Sequence, residues 1–281
     1  MSEIVWFPGH MAKARRKIKE ILPLIDVVIE IVDARIPVSS RNPDFDFIFK
    51  AKPCLVVLTK ASLADPAKTK KFEEVFTAGG NTAVSLDCRE NPDMKTVTRL
   101  IKSLAGQKLK RDSQKNVTRP VRCLVAGITN VGKSTFINTY TKTKKAKTED
   151  RPGVTRRNFW IASPHGVEML DTPGLLWHKF DDPEVGLKLA ATGAITDDIL
   201  DMPRIAAGTV GLMRKDGGYK ALLEKRYKIN IKDNDTDFKT IENIAASRGF
   251  IVSGGELDID RAARVFLDEF RGGRIGRITL D

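Results

Sequence analysis

One stretch of the chain has the residue types and the spacing that are needed to bind phosphate. Residues 127–135 have the sequence GITNVGKST, a complete match to the pattern G-x-x-x-x-G-K-S. Glycines at these positions let backbone N–H groups close around phosphate oxygens, Lys133 supplies a positive charge, and Ser134 offers a hydroxyl ligand to Mg²⁺. The residues expected to contact the phosphates are Asn130, Val131, Gly132, Lys133, Ser134 and Thr135.

The elements on either side of this loop are those that a phosphate site requires. An apolar run from Val121 to Ala126 precedes the loop and predicts a strand, and the residues from Phe136 onward predict a helix. The positive end of a helix dipole favours bound anions. A glycine-rich turn without a ligand is the alternative, and the joint occurrence of strand, loop and helix argues against it.

A second group of candidate residues follows a later strand. Asp171 begins the sequence D-T-P-G directly after the apolar run Val167 to Leu170, where a carboxylate can hold Mg²⁺ through water. The backbone N–H of Gly174 can meet a terminal phosphate. Thr155 lies between the two motifs in a basic loop. A lone threonine would ordinarily be a surface residue, but this position makes Thr155 a candidate switch residue. The expected Mg²⁺ site is therefore Ser134, Thr155 and Asp171.

The positions of the predicted elements indicate how the chain is organised. Up to about residue 180, strands alternate with helices, which predicts an α/β doubly wound sheet. The strands are expected at residues 27–32, 54–59, 82–86, 121–126, 158–162 and 167–170. Beyond Gly174 the patterns predict only helices, at residues 184–194, 205–213, 219–227, 238–248 and 259–270. We expect one domain over residues 1–180 and a smaller, all-helical, basic domain over residues 181–281.

Two segments outside these elements also carry predictions. Residues 107–119 are rich in lysine and arginine and are predicted to be a linker. Residues 274–280 alternate in hydrophobicity and predict a short strand. The helix at 259–270 is expected to bury an apolar face and to leave Arg261, Arg264 and Arg271 free on another face.

The composition limits the class of protein and its partners. The chain has 281 residues, 41% of them hydrophobic, and a net charge of +12, which favours a polyanionic partner, RNA rather than a membrane surface. Its apolar runs are too short to span a bilayer, and no targeting signal is apparent, so a cytoplasmic location is expected. The three cysteines share no C-x-x-C spacing and predict reduced thiols rather than a metal site.

The motifs, taken together and in this order, resemble those of the RbgA/YlqF family of circularly permuted GTPases, which are ribosome-assembly factors. The likeness extends over essentially the whole chain. It is carried by the segment from Trp6 to Ala14, by Asp33-Ala34-Arg35, by residues 39–43 and by residues 150–153, besides the phosphate-binding loop and D-T-P-G. In that family the guanine-reading segment and the loop after it precede the phosphate-binding loop.

The resemblance implies roles for further residues. The guanine-reading segment would be Thr59, Lys60 and Ser62, and the following loop would contribute Asp87 and Cys88. Leu175 stands where many GTPases have a catalytic glutamine, and leucine cannot orient water. The family assigns that task to the histidine of a Pro-Gly-His motif, here His10, although a lone histidine near the N-terminus would otherwise be a surface residue. Asn130 matches an asparagine that binds an activating K⁺ in related GTPases.

One departure from the family concerns the base. Thr59-Lys60-Ala61-Ser62 replaces the sequence Asn-Lys-x-Asp, whose aspartate accepts hydrogen bonds from guanine. Charge-assisted bonds of this kind contribute about 1.5 to 3 kcal/mol each, and Ser62 can accept one weaker bond at best. A net loss of about 2 to 4 kcal/mol implies guanine discrimination that is about 30- to 1000-fold weaker. Asp65 lies three residues beyond the motif's aspartate position and is expected to be out of reach. We therefore expect GTP binding with relaxed base selectivity.

The function that these observations favour is a GTPase of late large-subunit (50S-type) ribosome assembly. It would need Mg²⁺, with K⁺ as an activator, and would bind GTP or GDP and a pre-ribosomal particle with its rRNA, as a monomer off the ribosome. The alternative is an RNA-binding assembly scaffold whose nucleotide site is degenerate. An ATPase of unrelated purpose is a third class, which the basic C-terminus and the Pro-Gly-His segment argue against.

Overall fold

A computed structural model describes residue 16 and residues 18–90, 92–143, 160–172, 182–215 and 218–281. Within these ranges, six strands form one sheet in the order β3-β2-β1-β4-β6-β5. The strands are β1 (Val27–Asp33), β2 (Cys54–Thr59), β3 (Thr82–Ser85), β4 (Val121–Ala126), β5 (Trp160–Ala162) and β6 (Val167–Asp171). All neighbours are parallel except β5, which pairs with β6 in the antiparallel sense. The predicted α/β doubly wound sheet is confirmed.

The helices fall into two groups. The first group is α1 (Asp44–Ile48), α2 (Pro66–Ala78), α3 (Met94–Leu104), α4 (Gly106–Gln114) and α5 (Lys133–Thr141), which accompany the sheet. The second group is α6 (Pro183–Ala191), α7 (Met202–Lys215), α8 (Lys220–Tyr227), α9 (Asp237–Arg248) and α10 (Ile259–Arg271). We call this second group the helical region. Short 3₁₀ helices lie at Leu22–Leu24, Ala61–Leu63 and Asp197–Ile199.

The central strands form as they do because they are buried on both faces. Every residue of β1 is buried, including Glu30 and Asp33, and β4 is buried except for Arg122. Such continuous burial requires helices on both sides of a parallel sheet and explains the β-branched composition of β1. Because the parallel strands point the same way, the segments after β1, β2, β3, β4 and β6 all lie at the carboxyl edge of the sheet, where α/β folds bind ligands.

The helical region packs around α7. Helices α6, α9 and α10 all contact α7, and a single hydrophobic cluster runs from Ile29 and Ile31 of β1 to Phe266 and Phe270 of α10. Thr236 caps the start of α9, and Gly249 ends α9 with a φ of 64°. The division at residue 180 falls among residues 173–181, outside the described ranges, so it stays a prediction.

Two predictions about secondary structure are wrong. Residues 107–119 are not simply a linker, because Gly106–Gln114 is helical. The basic composition hides an apolar contact and several ion pairs. Leu109 packs against the main core, Lys108 pairs with Asp112 one turn later, and Arg119 pairs with Asp26 and Asp112. Residues 274–280 form no strand, because the backbone N–H groups of Ile278 and Leu280 bond to two different segments, at Leu63 and Arg35.

Two further observations on the described residues concern membrane-spanning helices and the cysteines. No helix among them is long and apolar enough to cross a membrane. Cys54, Cys88 and Cys123 are free thiols, as expected, and burial raises the pKa of Cys54 and of Cys88 to about 12. Such thiols stay protonated at neutral pH and are poor nucleophiles and poor metal ligands.

Candidate functional site

The phosphate-binding loop joins the end of β4 to the start of α5 at the middle of the sheet. Gly127 has a φ of 152°, and a side chain there would lie 2.5 Å from the carbonyl oxygen of Ile31. Asn130 and Gly132 have φ values of 56° and 101°, in the left-handed region. The loop thus passes close over β1 and turns sharply into the helix, the shape that its sequence pattern predicts.

Lys133 is the buried cation of this loop. Its side chain is 8% exposed, and its ammonium donates a hydrogen bond of 2.5 Å to the carbonyl oxygen of Ile128. Burial lowers the pKa of Lys133 to about 8, although the carboxylate of Asp171 acts in the opposite direction. A buried ammonium that is short of negative partners is suited to binding phosphate, because an anion would restore the charge balance that burial disturbs.

Two of the three expected Mg²⁺ ligands, Ser134 and Asp171, lie close together at the ends of neighbouring strands. The Ser134 hydroxyl lies 3.5 Å from Oδ2 of Asp171, which ends β6 beside β4. The neighbouring Thr172 is buried and donates to the carbonyl oxygen of Val125, which fixes the end of β6. A hydroxyl and a carboxylate are hard oxygen ligands of the kind that Mg²⁺ prefers, so the residues present fit this ion.

Thr59 attaches the base-reading segment to the phosphate-binding loop. Its hydroxyl lies 2.5 Å from the carbonyl oxygen of Val131 and 3.0 Å from that of Val32, and its side chain is 2% exposed. It also packs over Gly132, where an added side chain would touch it at 3.5 Å. A threonine therefore makes the contact between the two segments although the motif's asparagine is absent.

Lys60 crosses from the same segment to the phosphate-binding loop. Its ammonium donates to the carbonyl oxygen of Asn130 at 2.6 Å and to Oδ2 of Asp33 at 2.9 Å. Its backbone has a φ of 58°, in the left-handed region that only a few per cent of non-glycine residues adopt. Burial lowers the pKa of Lys60, and the Asp33 carboxylate opposes that shift. These two bonds fix the Lys60 side chain against the phosphate-binding loop.

Ser62 and Asp87 are brought together by the ends of β2 and β3. The Ser62 hydroxyl donates to Oδ2 of Asp87 at 2.5 Å, and Oδ1 of Asp87 accepts from the backbone N–H of Arg89 at 2.8 Å. Both side chains are half-buried, as is that of the neighbouring Cys88. The Asp87 carboxylate therefore lies within hydrogen-bonding distance of Ser62, which occupies the aspartate position of the base-reading motif.

The phosphate-binding loop also contacts the helical region directly. The amide nitrogen of Asn130 donates to the carbonyl oxygen of Gly193 at 2.8 Å, and the Thr129 hydroxyl donates to that of Ala194 at 2.5 Å. Gly193 and Ala194 lie just after α6. Since these are bonds to backbone carbonyls, they fix the segment after α6 against the loop.

A buried ionic cluster lies next to this contact. Arg35 is 2% exposed and binds both oxygens of Asp33, at 2.9 and 2.7 Å, while its other donor groups reach the carbonyl oxygens of Thr192 and Arg271. The cations Arg35 and Lys60 overcome the effect of burial and lower the pKa of Asp33 well below its usual range. The cluster therefore joins the base-reading Lys60 to the helical region.

This cluster and the Gly193 contact were missed by sequence reasoning. In the sequence, Asp33-Ala34-Arg35 contributes only to the family likeness, and the signal for an ion pair is an acidic and a basic residue directly after a buried strand. The prediction that Arg271 is free was wrong. Its guanidinium binds Asp197 and the carbonyl oxygens of Ala190 and Ala191, whereas Arg261 and Arg264 are exposed as expected.

The remaining predicted residues are distributed as follows. Val131 is buried under Thr59, and Ser134 and Thr135 are half-buried in the first turn of α5. His10, Thr155 and Gly174 lie outside the described residues. Their assigned roles stay predictions.

The sequence and the structure were compared with those of known proteins. The sequence model of a family described as "50S ribosome-binding GTPase" matches residues 122–242. That match begins at β4, just before the phosphate-binding loop, so β1, β2 and β3 precede it. The ribosome biogenesis GTPase A of Bacillus cereus is 45% identical over 279 residues, which cover 99% of this chain and 93% of that protein. The protein of the same name from Priestia megaterium is 44% identical over 280 residues, covering 99% and 96%.

Solved structures of a similar protein also match this chain over nearly its whole length. The GDP-bound structure of Thermotoga maritima YlqF superposes with a TM-score of 0.65 at 26% sequence identity, covering 95% of this chain and 98% of that one. The structure of the same protein bound to GNP gives a TM-score of 0.63 and covers 96% and 97%.

Proposed function

The chain belongs to the ribosome biogenesis GTPase A family and is a GTP hydrolase, and we propose that it acts on a late precursor of the large ribosomal subunit. In this proposal the basic helical region of the GTP-bound protein binds the rRNA of the particle. The protein leaves the particle when GTP is hydrolysed. The net charge of +12 supports an RNA partner. A cytoplasmic location and a monomeric state off the ribosome belong to the same proposal.

The observation that carries this proposal is the contact between the phosphate-binding loop and the helical region. Asn130 and Thr129 each bond to a backbone carbonyl just after α6, at Gly193 and Ala194. A change at the phosphates would alter this contact without having to pass through a flexible linker. Nucleotide state and particle binding would then be coupled, as a switch protein requires.

GTPases of this family use Mg²⁺ with their nucleotide. We propose that Ser134 and Asp171 hold the ion, with Thr155 as a further ligand when the terminal phosphate is present. Mg²⁺ bound there would neutralise charge on the phosphate oxygens. The residues that act on the nucleotide itself are Lys133, which supplies a positive charge to the phosphates, and the backbone of the glycine loop.

We also propose K⁺ as an activator and His10 as the residue that orients the attacking water. The amide of Asn130 is held by its bond to Gly193, which sets the direction of the side-chain oxygen that would bind K⁺. His10 is far from the phosphate-binding loop in sequence, so we expect the ribosomal particle to help position it. Hydrolysis would then be slow in the free protein and faster on the particle.

The proposal is tested by measuring GTP turnover with and without purified large ribosomal subunits, in K⁺ and in Na⁺. We expect stimulation by the subunits, greater in K⁺, and loss of that stimulation in His10→Ala. A Lys133→Ala variant serves as the nucleotide-site control. The assembly role would be rejected if the subunits changed neither affinity nor turnover, and the assignment of His10 if its alanine variant kept full stimulated turnover.

The presence of Ser62 in the base-reading motif favours one alternative, an RNA-binding scaffold with a degenerate nucleotide site. That function predicts that the protein binds large subunits equally well with and without GTP. Titration of the isolated protein with GDP separates the two functions, because a scaffold of this kind would show no nucleotide binding.

A further inference from the structure

A carboxylate from the neighbouring loop, that of Asp87, lies beside the altered base-reading motif. We propose that Asp87 supplies the carboxylate that recognises the guanine base and that Ser62 positions this carboxylate. The inference rests on the proposed GTPase function. It concerns base selectivity, which the composition of the motif alone predicts to be relaxed.

The argument starts from the geometry at the ends of β2 and β3. The two loops are held in register because the backbone N–H of Ala61 donates to the carbonyl oxygen of Leu86 at 3.4 Å, and that of Leu86 donates to Leu58 at 2.9 Å. The side chains of Ser62 and Asp87 meet one residue further along each loop, with 2.5 Å between Ser62 Oγ and Asp87 Oδ2. A serine is one heavy atom shorter than an aspartate, and the Asp87 carboxylate lies directly beyond it.

The Asp87 carboxylate has acceptor capacity left for a base. Each carboxylate oxygen has about two acceptor positions. Oδ2 uses one for the Ser62 hydroxyl, and Oδ1 uses one for the backbone N–H of Arg89. Both donors are neutral, so the negative charge is not cancelled by an ion pair with either of them. One acceptor position on each oxygen matches the two adjacent donors that guanine presents, its N1–H and its N2 amino group.

The other nearby aspartates are already committed. Asp65 caps α2 by accepting from the backbone N–H groups of Ala67 and Lys68, and its second oxygen lies 3.4 Å from the Tyr219 hydroxyl. Asp33 is bound by Arg35 and Lys60 and is 2% exposed. Asp87, by contrast, is half-buried on the side of the base-reading segment and can be reached by a ligand.

The base-reading segment is also supported from behind by the end of the chain. The guanidinium of Arg277 donates to the carbonyl oxygens of Ala61 and Ala64, at 3.0 and 2.9 Å. The backbone N–H of Ile278 donates to the carbonyl oxygen of Leu63 at 3.0 Å. The turn that carries Ser62 is therefore held on three of its backbone oxygens, which favours a fixed position for the Ser62 hydroxyl.

The carboxylate predicts a particular pattern of base preference. Guanine pairs with it through two donors, hypoxanthine through one, and adenine presents an acceptor at N1 and is rejected. Two charge-assisted hydrogen bonds correspond to a preference for GDP over ADP of at least about 30-fold. Asp87→Asn offers an amide N–H where xanthine has a carbonyl oxygen, so this variant should bind XDP better than the original protein does.

The test is a titration of the whole protein, with Mg²⁺, against GDP, IDP, XDP and ADP. It uses the original protein and three variants, Asp87→Asn, Ser62→Ala and the exchange Ser62→Asp with Asp87→Ser. Glu90→Gln is the matched control, because Glu90 is an exposed carboxylate in the same loop. We expect Asp87→Asn to lose the preference for GDP and to gain affinity for XDP, Ser62→Ala to weaken the preference about 3- to 10-fold, and Glu90→Gln to leave it unchanged.

The exchange variant keeps the test decisive if Asp87→Asn does not fold. It returns the carboxylate to the motif's own position, so it should restore a GDP preference at least as strong as that of the original protein. Equal binding of GDP and ADP by the original protein, with nucleotide binding retained, would overturn the role of Asp87 and leave the GTPase proposal standing. Absence of binding to all four nucleotides would overturn both.

Discussion

The side-chain amide of Asn130 donates a 2.8 Å hydrogen bond to the backbone carbonyl oxygen of Gly193, and so joins the phosphate-binding loop to the segment after α6. The circularly permuted order of the motifs implies that Asp171 leads along the chain into the helical region. The bond from Asn130 is a second connection, through space, and it does not depend on residues 173–181. Because two connections lead from the nucleotide site to the helical region, we expect a change of nucleotide state to act on that region.

Thr129→Val tests how firmly the phosphate-binding loop is fixed to the helical region. The substitution keeps the shape of a buried side chain but removes the hydroxyl that bonds to Ala194. We expect the free energy of unfolding to fall by about 1 to 3 kcal/mol, because the carbonyl oxygen is left buried without this donor. Urea unfolding measures the change. Thr77→Val is the control, since Thr77 is exposed and its hydroxyl bonds to Glu73 of the same helix, and it should change stability by no more than about 0.5 kcal/mol.

Arg35→Met tests the buried ionic cluster. The substitution keeps an unbranched side chain but leaves Asp33 with only Lys60 as a cationic partner. Breaking a buried pair on one side costs about 3 to 5 kcal/mol in unfolding free energy. Lys239→Met removes the cation of an exposed pair with Glu242 and should cost less than about 0.5 kcal/mol. Equal losses for the two variants in urea unfolding would mean that the cluster does not stabilise the fold.

The pKa of Lys133 makes nucleotide affinity depend on pH. Burial lowers the pKa of Lys133 from 10.5 to about 8 in the nucleotide-free protein. A bound phosphate favours the ammonium, so above that pH binding must take up a proton. The affinity for GDP should therefore be nearly constant below pH 8 and fall by up to about tenfold per pH unit above it. Titrations between about pH 7 and about pH 9 measure this fall.

Lys133→Arg is the matched variant for that measurement. Arginine keeps the positive charge over the whole range and cannot lose its proton. Its binding of GDP should be weaker but should lose the part of the pH dependence that Lys133 contributes. An unchanged slope in this variant would show that another group titrates.

Asp171→Asn tests the metal site. Asp171 is expected to hold Mg²⁺ through water, and removing such an outer ligand typically lowers metal affinity about 10- to 100-fold. The Mg²⁺ concentration required for half-maximal binding of a GTP analogue should rise accordingly, and chelation of the metal should weaken binding in the original protein. Glu168→Gln, on the same strand, removes only a partly exposed pair with Arg122 and should leave the Mg²⁺ requirement as it was.

The sequence was sufficient to predict the order of the six strands and of the five helices in the helical region, because the apolar periodicities are strong where burial is complete. The short α1 and the basic α4 were not predicted. The helix predicted at residues 259–270 agrees with α10 to within one residue, since Asp258 caps its start and Gly272 ends it. The phosphate-binding loop was predictable for a different reason. Its conformation depends on local glycine positions, so the spacing of a few residues carries the structure.

Contacts between distant segments could not be predicted in the same way. Whether a basic side chain faces RNA or a carbonyl group inside the protein depends on tertiary packing, and Arg271 and Arg277 both proved to hold parts of the structure together. The pairing of Ser62 with Asp87 joins residues 25 positions apart, at the ends of two parallel strands. A position-by-position comparison with the motif shows that Ser62 replaces its aspartate. It does not show that the Asp87 carboxylate lies beside Ser62.

The most direct test of the central claim is sedimentation of the protein with purified large ribosomal subunits in the presence of a non-hydrolysable GTP analogue, of GDP, and without nucleotide. A switch whose phosphate-binding loop contacts the helical region should associate at least about tenfold more tightly with the analogue than with GDP. Asn130→Ala should reduce this difference, because the bond to Gly193 is lost. Equal sedimentation under all three conditions would contradict the account.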